Sequence, residues 1–547
     1  MLIGYVSDEY YMALADVLVE FRQQEQTTAI VRTTPRGSIE AELSPGEYEV
    51  ILVKPGFGSK RVWMTVGNGA PSPYQFRLLS DRLLGYAWPR AIQSGEQAEF
   101  KVHSVEPYRL SLWRYGCKRE FVKLLGWFDE HAARAVMQIT PDGDYTQTGV
   151  NWNTVGYGST HHTQLVTGPE RSGLYYFHAK TESSKEFFSF PLVVSPSIPK
   201  AKVAVLASTN TWLAYNNFGG RSNYINSNQL PPEPSINVRQ DLIRFTKAGS
   251  FNSWGFQDEE YTPLSFERPE PGNCVRENEE VTDPIEGRLP SSLAPAEWRL
   301  LGWLEREGFE YDYYAETQLH HGKLDLDAYE VLIISVHPEY WSREMFEKVH
   351  LWVHQRGGKL MYLGGNGLNC EVEFEDESRL RFKTWLQPET GGELGMPNPA
   401  NPEEYLESRM HRSYESEASL LGVVCTASGI MTAAPYRVVA PDHWAFEGTG
   451  LSQGDEFGHE SLHERIHGGA SGHETDKISP HSPSGTRLLA KGTNPNGGGA
   501  EMAYYETKSE GAVFSVGSIC YVASLIIDST LSRITSNVLR RFLNDSK

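Results

Sequence analysis

Residues 331–342 read VLIISVHPEYWS. The run VLIISV is apolar but for Ser335 and reads as a buried strand. Within four residues of its end come His337, Glu339 and Tyr340, three side chains able to move protons or bind metal. An imidazole and a carboxylate two residues apart, where a buried strand runs out, are either a loop that happens to be polar or a site at the carboxyl end of a sheet. The neighbouring segments favour the second. Upstream, KVAVLAS (202–208) is a strand of the same buried type, followed by a polar loop rich in Asn and Gly. PAEWRLLGWLEREG (295–308) predicts an amphipathic helix with Pro near its start and Gly308 as its stop, and FEYDYY (309–314) a strand. Downstream, a helix is predicted with Ser342 as N-cap and Met345, Phe346, Val349, Trp352 and Val353 on one face, ended by Gly357 and Gly358. KLMYLGGN (359–366) is another strand, running into a glycine turn. The β-α-β-α-β order predicts an α/β domain with a mainly parallel sheet and helices on its faces. RLLAKG (487–492), AEMAYYET (500–507) and GAVFSVGS (511–518) add strands, and a helix from about Asp528 closes the chain with Leu531, Ile534, Val538 and Phe542 on its apolar face. Three strand ends, before TWLAYNN, HPEYWS and GGNGLN, deliver polar residues to one edge, where open α/β sheets form their sites.

The N-terminal part has a different grammar. VLVEF (17–21), TTAIVRTT (27–34), YEVILVK (48–54) and RVWMTV (61–66) are short strands separated by Pro/Gly turns, which predicts a small β-sandwich over 1–79. AEFKVHS (98–104), RLSLWRYG (109–116), GLYYFHAK (173–180) and FFSFPLVVS (187–195) predict a second, immunoglobulin-like sandwich over 80–197. SPSIPK (195–200), with two prolines, reads as the linker to the α/β domain, 198–547.

The bulk numbers exclude several classes. The 547 residues carry 50 Lys and Arg against 70 Asp and Glu, a net charge of −20 with no long basic block, so neither nucleic acid nor an anionic membrane surface is an expected partner. Five scattered cysteines without a CxxC pair predict neither a disulfide framework nor a cysteine zinc site, and fit a reducing compartment. The start, MLIGYVSDEYYM, lacks the form of a signal peptide, and no apolar run approaches the ~20 residues of a membrane helix. The expected location is the cytoplasm.

Three stretches carry candidate chemistry. His459-Glu460-Ser461-Leu462-His463 spells HExxH, which on a helix sets two imidazoles beside a catalytic glutamate, with His467 extending the spacing; a zinc hydrolase or peptidase is therefore one reading. Its polar, glycine-bounded flanks (GLSQGDEFG and GGASG) favour a surface helix or loop instead. The turn Leu363-Gly364-Gly365-Asn366-Gly367 resembles a nucleophile elbow, but Asn366 stands where a cysteine or serine would be needed, and an amide cannot attack; Cys370 lies four residues on. The loop Thr211–Tyr224 carries Tyr215 and Tyr224, packing residues unless a Lewis-acidic ion is near; phenolate and carboxylate suit a ferric ion, and Glu339 could complete such a site.

The motifs TWLAYNNFGGRSNY (211–224), HPEYWS (337–342), LGGNG (363–367), GHETD (472–476) and VFSVGS (513–518), in this order, resemble the catalytic domain of the N,N-dimethylformamidase large-subunit family over about 200–547. The resemblance implies a glutamine-amidotransferase-like domain that hydrolyses the C–N bond of a small, N-substituted formamide-like amide with a mononuclear ferric iron. It implies Tyr215, Tyr224 and Glu339 as metal ligands, Glu474, His337 and Asn366 as catalytic residues, and Asn366, Phe514 and Lys383 as substrate-binding residues. For the last, RLRFK also offers Arg379 and Arg381. A homo-oligomer is expected, and the need for a small partner subunit is left open. The chain is shorter than the family's large subunits, and 225–290 has no clear counterpart. A non-catalytic binding protein, two sandwiches ahead of an inactive α/β domain, is the remaining alternative.

Overall fold

Short period-two strands build the first sheets. The computed structural model describes residues 1–8, 12–58, 60–67, 73–78, 80–104, 106–128, 164–216, 218, 222–223, 233–236, 263–278, 292–384, 396–398 and 401–544, with the backbone alone at 396–398 and 401–405. Along Gly46–Val53, Tyr48, Val50 and Leu52 are buried and their neighbours face outward. This strand joins Leu18–Gln23, Gln26–Arg32 and Lys60–Val66 in a four-stranded sheet. Its buried side chains share a core (Val19, Phe21, Tyr48, Val50) with Val6, Ile39 and Phe76 of a three-stranded sheet formed by Leu2–Asp8, Ser38–Glu40 and Tyr74–Leu78. A second pair follows the same rule. Leu84–Trp88, Gln97–His103 and Leu165–Thr167 share a core with a five-stranded sheet that includes Tyr108–Tyr115, Gly173–Thr181 and Phe187–Ser195. The described chain is mostly β-sheet, in several sandwich-like sheets, with few helices.

The second sandwich does not end at its own core. Tyr115, Leu174, Tyr176 and Val193 belong to the same buried cluster as Val203, Trp298 and Trp303. Trp298 Nε1 donates to Gly116 O at 2.8 Å, and Arg114 reaches Glu305 Oε1 at 2.6 Å. The sandwich is a wall against which the helix carrying Trp298 and Glu305 packs.

The largest sheet has nine strands: β1 (Val203–Ala207), β2 (Asp312–Ala315), β3 (Val331–Val336), β4 (Lys359–Gly364), β5 (Tyr436–Val438), β6 (Glu456–Phe457), β7 (Arg487–Gly492), β8 (Glu501–Glu506) and β9 (Ala512–Ser515). Their order across the sheet is β2-β1-β3-β4-β9-β8-β7-β5-β6. The helices that matter here are α1 (Thr209–Ala214), α2 (Ala294–Arg306), α3 (Arg343–Arg356), α4 (Cys520–Leu525) and α5 (Ser529–Phe542). β3 is buried along its whole length, as a strand covered on both faces must be. α3 has the predicted stripe; Ser342 Oγ accepts from Met345 N at 3.3 Å, and Gly357, at φ 79°, stops it. Asp528 caps α5 through Thr530 N and Leu531 N, and Leu531, Ile534, Val538 and Phe542 face inward.

The expected mainly parallel sheet is a mixed one. β2, β1, β3, β4 and β9 pair in parallel, whereas β9, β8, β7, β5 and β6 pair antiparallel. Chain length accounts for two of the antiparallel pairs. The connections from β7 to β8 and from β8 to β9 are too short for the crossover of a dozen or more residues that parallel neighbours require. Strand direction leaves no mark in hydrophobic periodicity.

Candidate functional site

Three strand ends converge. β3 stops in a γ-turn: His337 N donates to Ser335 O at 2.9 Å, and Val336 between them has φ 61°. Asn366 (φ 52°), Leu368 (φ 56°) and His473 (φ 68°) are also left-handed. Such a conformation costs an L-residue about 1–2 kcal/mol, and its persistence at functional sites is a known signature. Residues after β3 are laced to those after β4 by Gly365 N to Val336 O (3.2 Å), Leu368 N to Pro338 O (2.8 Å) and Cys370 N to Glu339 O (3.0 Å). Gly365 is required by space. A Cβ there would stand 2.6 Å from Glu474 O and 2.7 Å from Ile519 N, both backbone atoms. α1, after β1, is buried throughout and clamps the same loop: Thr211 Oγ1 donates to His337 O (2.6 Å) and accepts from Glu339 N (3.2 Å), while Asn210 Nδ2 donates to Tyr340 O (2.9 Å).

The side chains then meet. Tyr215, at the end of α1, donates its hydroxyl to Glu339 Oε2 at 2.9 Å. His337 Nε2 lies 3.2 Å from Glu339 Oε2 and 3.2 Å from Glu474 Oε2. Asn366 Nδ2 donates to Glu474 Oε2 at 2.8 Å and stands 3.4 Å from His337 Nε2. Glu339 and His337 are 2% and 1% exposed, so two carboxylates here need partners of opposite charge. His337 supplies one. Burial alone would hold its imidazole neutral, but the hydrogen bonds it makes to Glu339 and Glu474 outweigh that and push it up to about 10. Burial pushes Glu474 up in turn, and the His337 interaction more than reverses that, holding the carboxyl well below its usual range. Arg409 Nη1, 3.7 Å from Glu339 Oε1, is a further cation. Beneath, Asp476 accepts from Tyr362 Oη (2.7 Å) and Asn366 N (2.8 Å) and so sets the turn that presents Asn366. His337 Nδ1 and Asn366 Oδ1 are buried and have no partner among the described residues.

A family profile described as "N,N-dimethylformamidase beta subunit-like, C-terminal" matches residues 113–533, more than half of the chain. The chain belongs to that family. The N,N-dimethylformamidase beta subunit of Paracoccus aminophilus is 24% identical over 92% of this chain and 73% of its own length. That of an Alcaligenes species is 26% identical over 69% of this chain and 54% of its own length, so the chain spans about half of the latter.

In this dimethylformamidase beta subunit-like chain, Tyr215, His337, Glu339, Asn366 and Glu474 are brought together as just described. Tyr224 lies outside the described residues, as does most of 225–290; its neighbour Asn223 donates to Tyr340 Oη at 3.1 Å. Tyr340 supports the site from behind, 5.0 Å from the Phe382 ring in an edge-on contact. Two expected residues have other contacts among the described residues. Phe514, at the middle of β9, is fully buried in the apolar cluster with Met361 and Leu363. Lys383 is drawn to Glu371 (3.3 Å) and Glu373 (2.6 Å), carboxylates on its own small sheet. The HExxH stretch forms no helix, so His459 and His463 are not presented on one helical face; His459 and Glu460 are exposed and His463 is buried. Glu407, His411 and His481 also approach one another. There, His411 Nδ1 accepts from Glu407 N at 3.1 Å, which places the proton of the neutral ring on Nε2. Sequence reasoning missed Thr211, Arg409 and Asp476. Asp476 closes the GHETD motif, whereas nothing distinguishes Arg409 from the other cations of the chain.

Proposed function

We propose that this chain is an iron-dependent hydrolase that cleaves the C–N bond of small linear amides, N-substituted formamides foremost, to a carboxylic acid and an amine. The observation that carries the reading is the meeting of Tyr215, His337, Glu339, Asn366 and Glu474 within hydrogen-bond reach of one another at one edge of the sheet. The names of the relatives support the substrate class. Phenol and carboxylate are hard oxygen donors suited to a ferric ion, and Tyr215 Oη and Glu339 Oε2 stand 2.9 Å apart in a buried place, so the described donors fit. An ion held by Tyr215, Tyr224 and Glu339 would supply Lewis acidity at the amide carbonyl.

The chain's own residues account for the protons. Glu474, held ionised beside His337, takes a proton from the attacking water. The water oxygen bonds to the carbonyl carbon, the C–N bond breaks, and the same carboxyl returns the proton to the departing nitrogen. Asn366 and the charged His337 orient the substrate and stabilise the developing oxyanion. Asn366, left-handed at the end of β4, occupies the place of a nucleophile elbow. This supports reading 198–547 as glutamine-amidotransferase-like with its nucleophile replaced. The name "beta subunit" carried by both relatives supports a partner subunit for this chain, with a homo-oligomer as the simpler assembly. No described helix is long and apolar enough to cross a membrane.

The test is amine release from N,N-dimethylformamide, N-methylformamide and acetamide by the full chain prepared with iron. Turnover of a formamide, and a loss of at least about a thousandfold in Glu474→Gln, is expected. Undiminished turnover in that variant, or no hydrolysis by the iron-loaded wild type, would overturn the reading.

A further inference from the structure

The HExxH stretch, unused as a metal motif, sends one histidine toward the site. His463 Nδ1 accepts from the backbone N–H groups of Arg465 and Ile466, both at 3.1 Å. Its proton therefore sits on Nε2. That nitrogen lies 3.0 Å from His473 Nδ1, so His463 donates and His473 accepts. A proton on His473 Nδ1 would face the Nε2–H of His463, so His473 is neutral and carries its single proton on Nε2. Burial works in the same direction, pushing His473 down to about 4 and His463 down to about 2. One backbone link in the chain thus sets the tautomer of a ring ten residues away.

His473 is well placed to use that proton. It directly precedes Glu474, and its ring centroid is 6.5 Å from that of His337. Its left-handed backbone is pinned on both sides, its N donating to Thr432 O (3.1 Å) and its O accepting from Met431 N (2.7 Å). The side chain is only partly buried, and among the described residues nothing accepts from Nε2. Of the other donors at the site, Asn366 Nδ2 gives one N–H to Glu474, and His337 Nε2 faces both carboxylates. An N,N-disubstituted amide offers one acceptor, its carbonyl oxygen, and no donor. A neutral imidazole N–H is able to polarise such a carbonyl.

We propose that His473, held by His463 as the Nε2–H tautomer, donates a hydrogen bond to the carbonyl oxygen of the amide bound beside Glu474. His473 is then a catalytic residue and His463 a positioning residue. The inference rests on the amidase reading above.

The experiment compares kcat and KM for N,N-dimethylformamide in the full iron-loaded chain and four variants, with iron content and melting temperature measured on each. His473→Leu is expected to lower kcat about 100-fold with KM changed less than about threefold, the loss typical of one oxyanion donor. His473→Gln, whose amide N–H replaces Nε2–H, restores kcat to within about tenfold of wild type. His463→Leu lowers kcat about tenfold, and His463→Gln, which can still donate to His473, recovers it. A merely structural role would lower melting temperature or iron content in step with kcat and would show no rescue by glutamine. Wild-type kcat in His473→Leu, or equal damage in His473→Gln and His473→Leu, would overturn the proposal while leaving the amidase reading in place. A wild-type chain that hydrolyses no amide overturns both.

Discussion

Replacing Glu297 by glutamine should make the protein more stable above neutral pH and leave it unchanged in acid. Glu297 lies in the first turn of α2, 2% exposed, and its carboxyl ties α2 to the start of α1. Oε1 accepts from Ser208 N (3.0 Å) and Trp212 Nε1 (2.9 Å), and Oε2 accepts from Tyr313 Oη (2.6 Å). Burial raises its carboxyl from 4.5 to about 7, against the three hydrogen bonds, which pull it down. Because the folded protein holds the proton more tightly than the unfolded chain, this group's contribution to stability is full below about pH 4.5. It is lost as pH rises through about 7. At about 1.4 kcal/mol per tenfold change in proton affinity, the interval is worth about 3 kcal/mol. Glutamine keeps the oxygen for Ser208 and Trp212, and its amide N–H can donate to Tyr313 Oη, whose hydroxyl turns to accept. The assay is urea denaturation of wild type and Glu297→Gln from pH 4.5 to 8. The variant should match the wild type at pH 4.5 and exceed it by about 3 kcal/mol at pH 8. A stability difference that does not change with pH, or a variant weaker than wild type at pH 8, would refute the reasoning.

Other outcomes follow from the site's construction. Gly365→Ala forces a Cβ to within 2.6 Å of Glu474 O and should cost about 1–3 kcal/mol of stability together with most of the turnover, checked by thermal melts and amide assay. Thr211→Val removes the hydroxyl that joins His337 O to Glu339 N; it should cost about 1–3 kcal/mol and lower kcat, while Thr211→Ser retains both. Asp476→Ala strips Tyr362 Oη and Asn366 N of their shared acceptor, with an expected loss of about 2–6 kcal/mol in denaturation.

What was legible in the sequence was local. The strand 331–336, the stripe and caps of α3, and the capped final helix all follow from periodicity and terminal residues, and each stands where the residues placed it. Strand direction was not legible, because a buried run such as AVFS reads alike whether its neighbour is parallel or antiparallel; the brevity of the 506–512 connection was the signal for the antiparallel half. His337 and Glu339 were visible as polar residues at a strand end. That Tyr215 meets Glu339, 124 positions away, is a tertiary fact reached in the sequence only through ordered motifs. The HExxH spacing has meaning only on a helix, and the glycine-bounded flanks that spoke against a zinc site in the sequence hold the segment out of one. The same segment's backbone N–H groups direct His463 at His473, a relation that no spacing rule contains.

The most direct test of the account is the iron content and visible spectrum of the purified full chain, prepared with iron and zinc both available, beside Tyr215→Phe and Glu339→Ala. The account predicts about one iron per chain, a tyrosinate-to-iron charge-transfer band lost or shifted in Tyr215→Phe, and iron lost with turnover in Glu339→Ala. Zinc in place of iron, or iron and turnover both retained in Glu339→Ala, would contradict it.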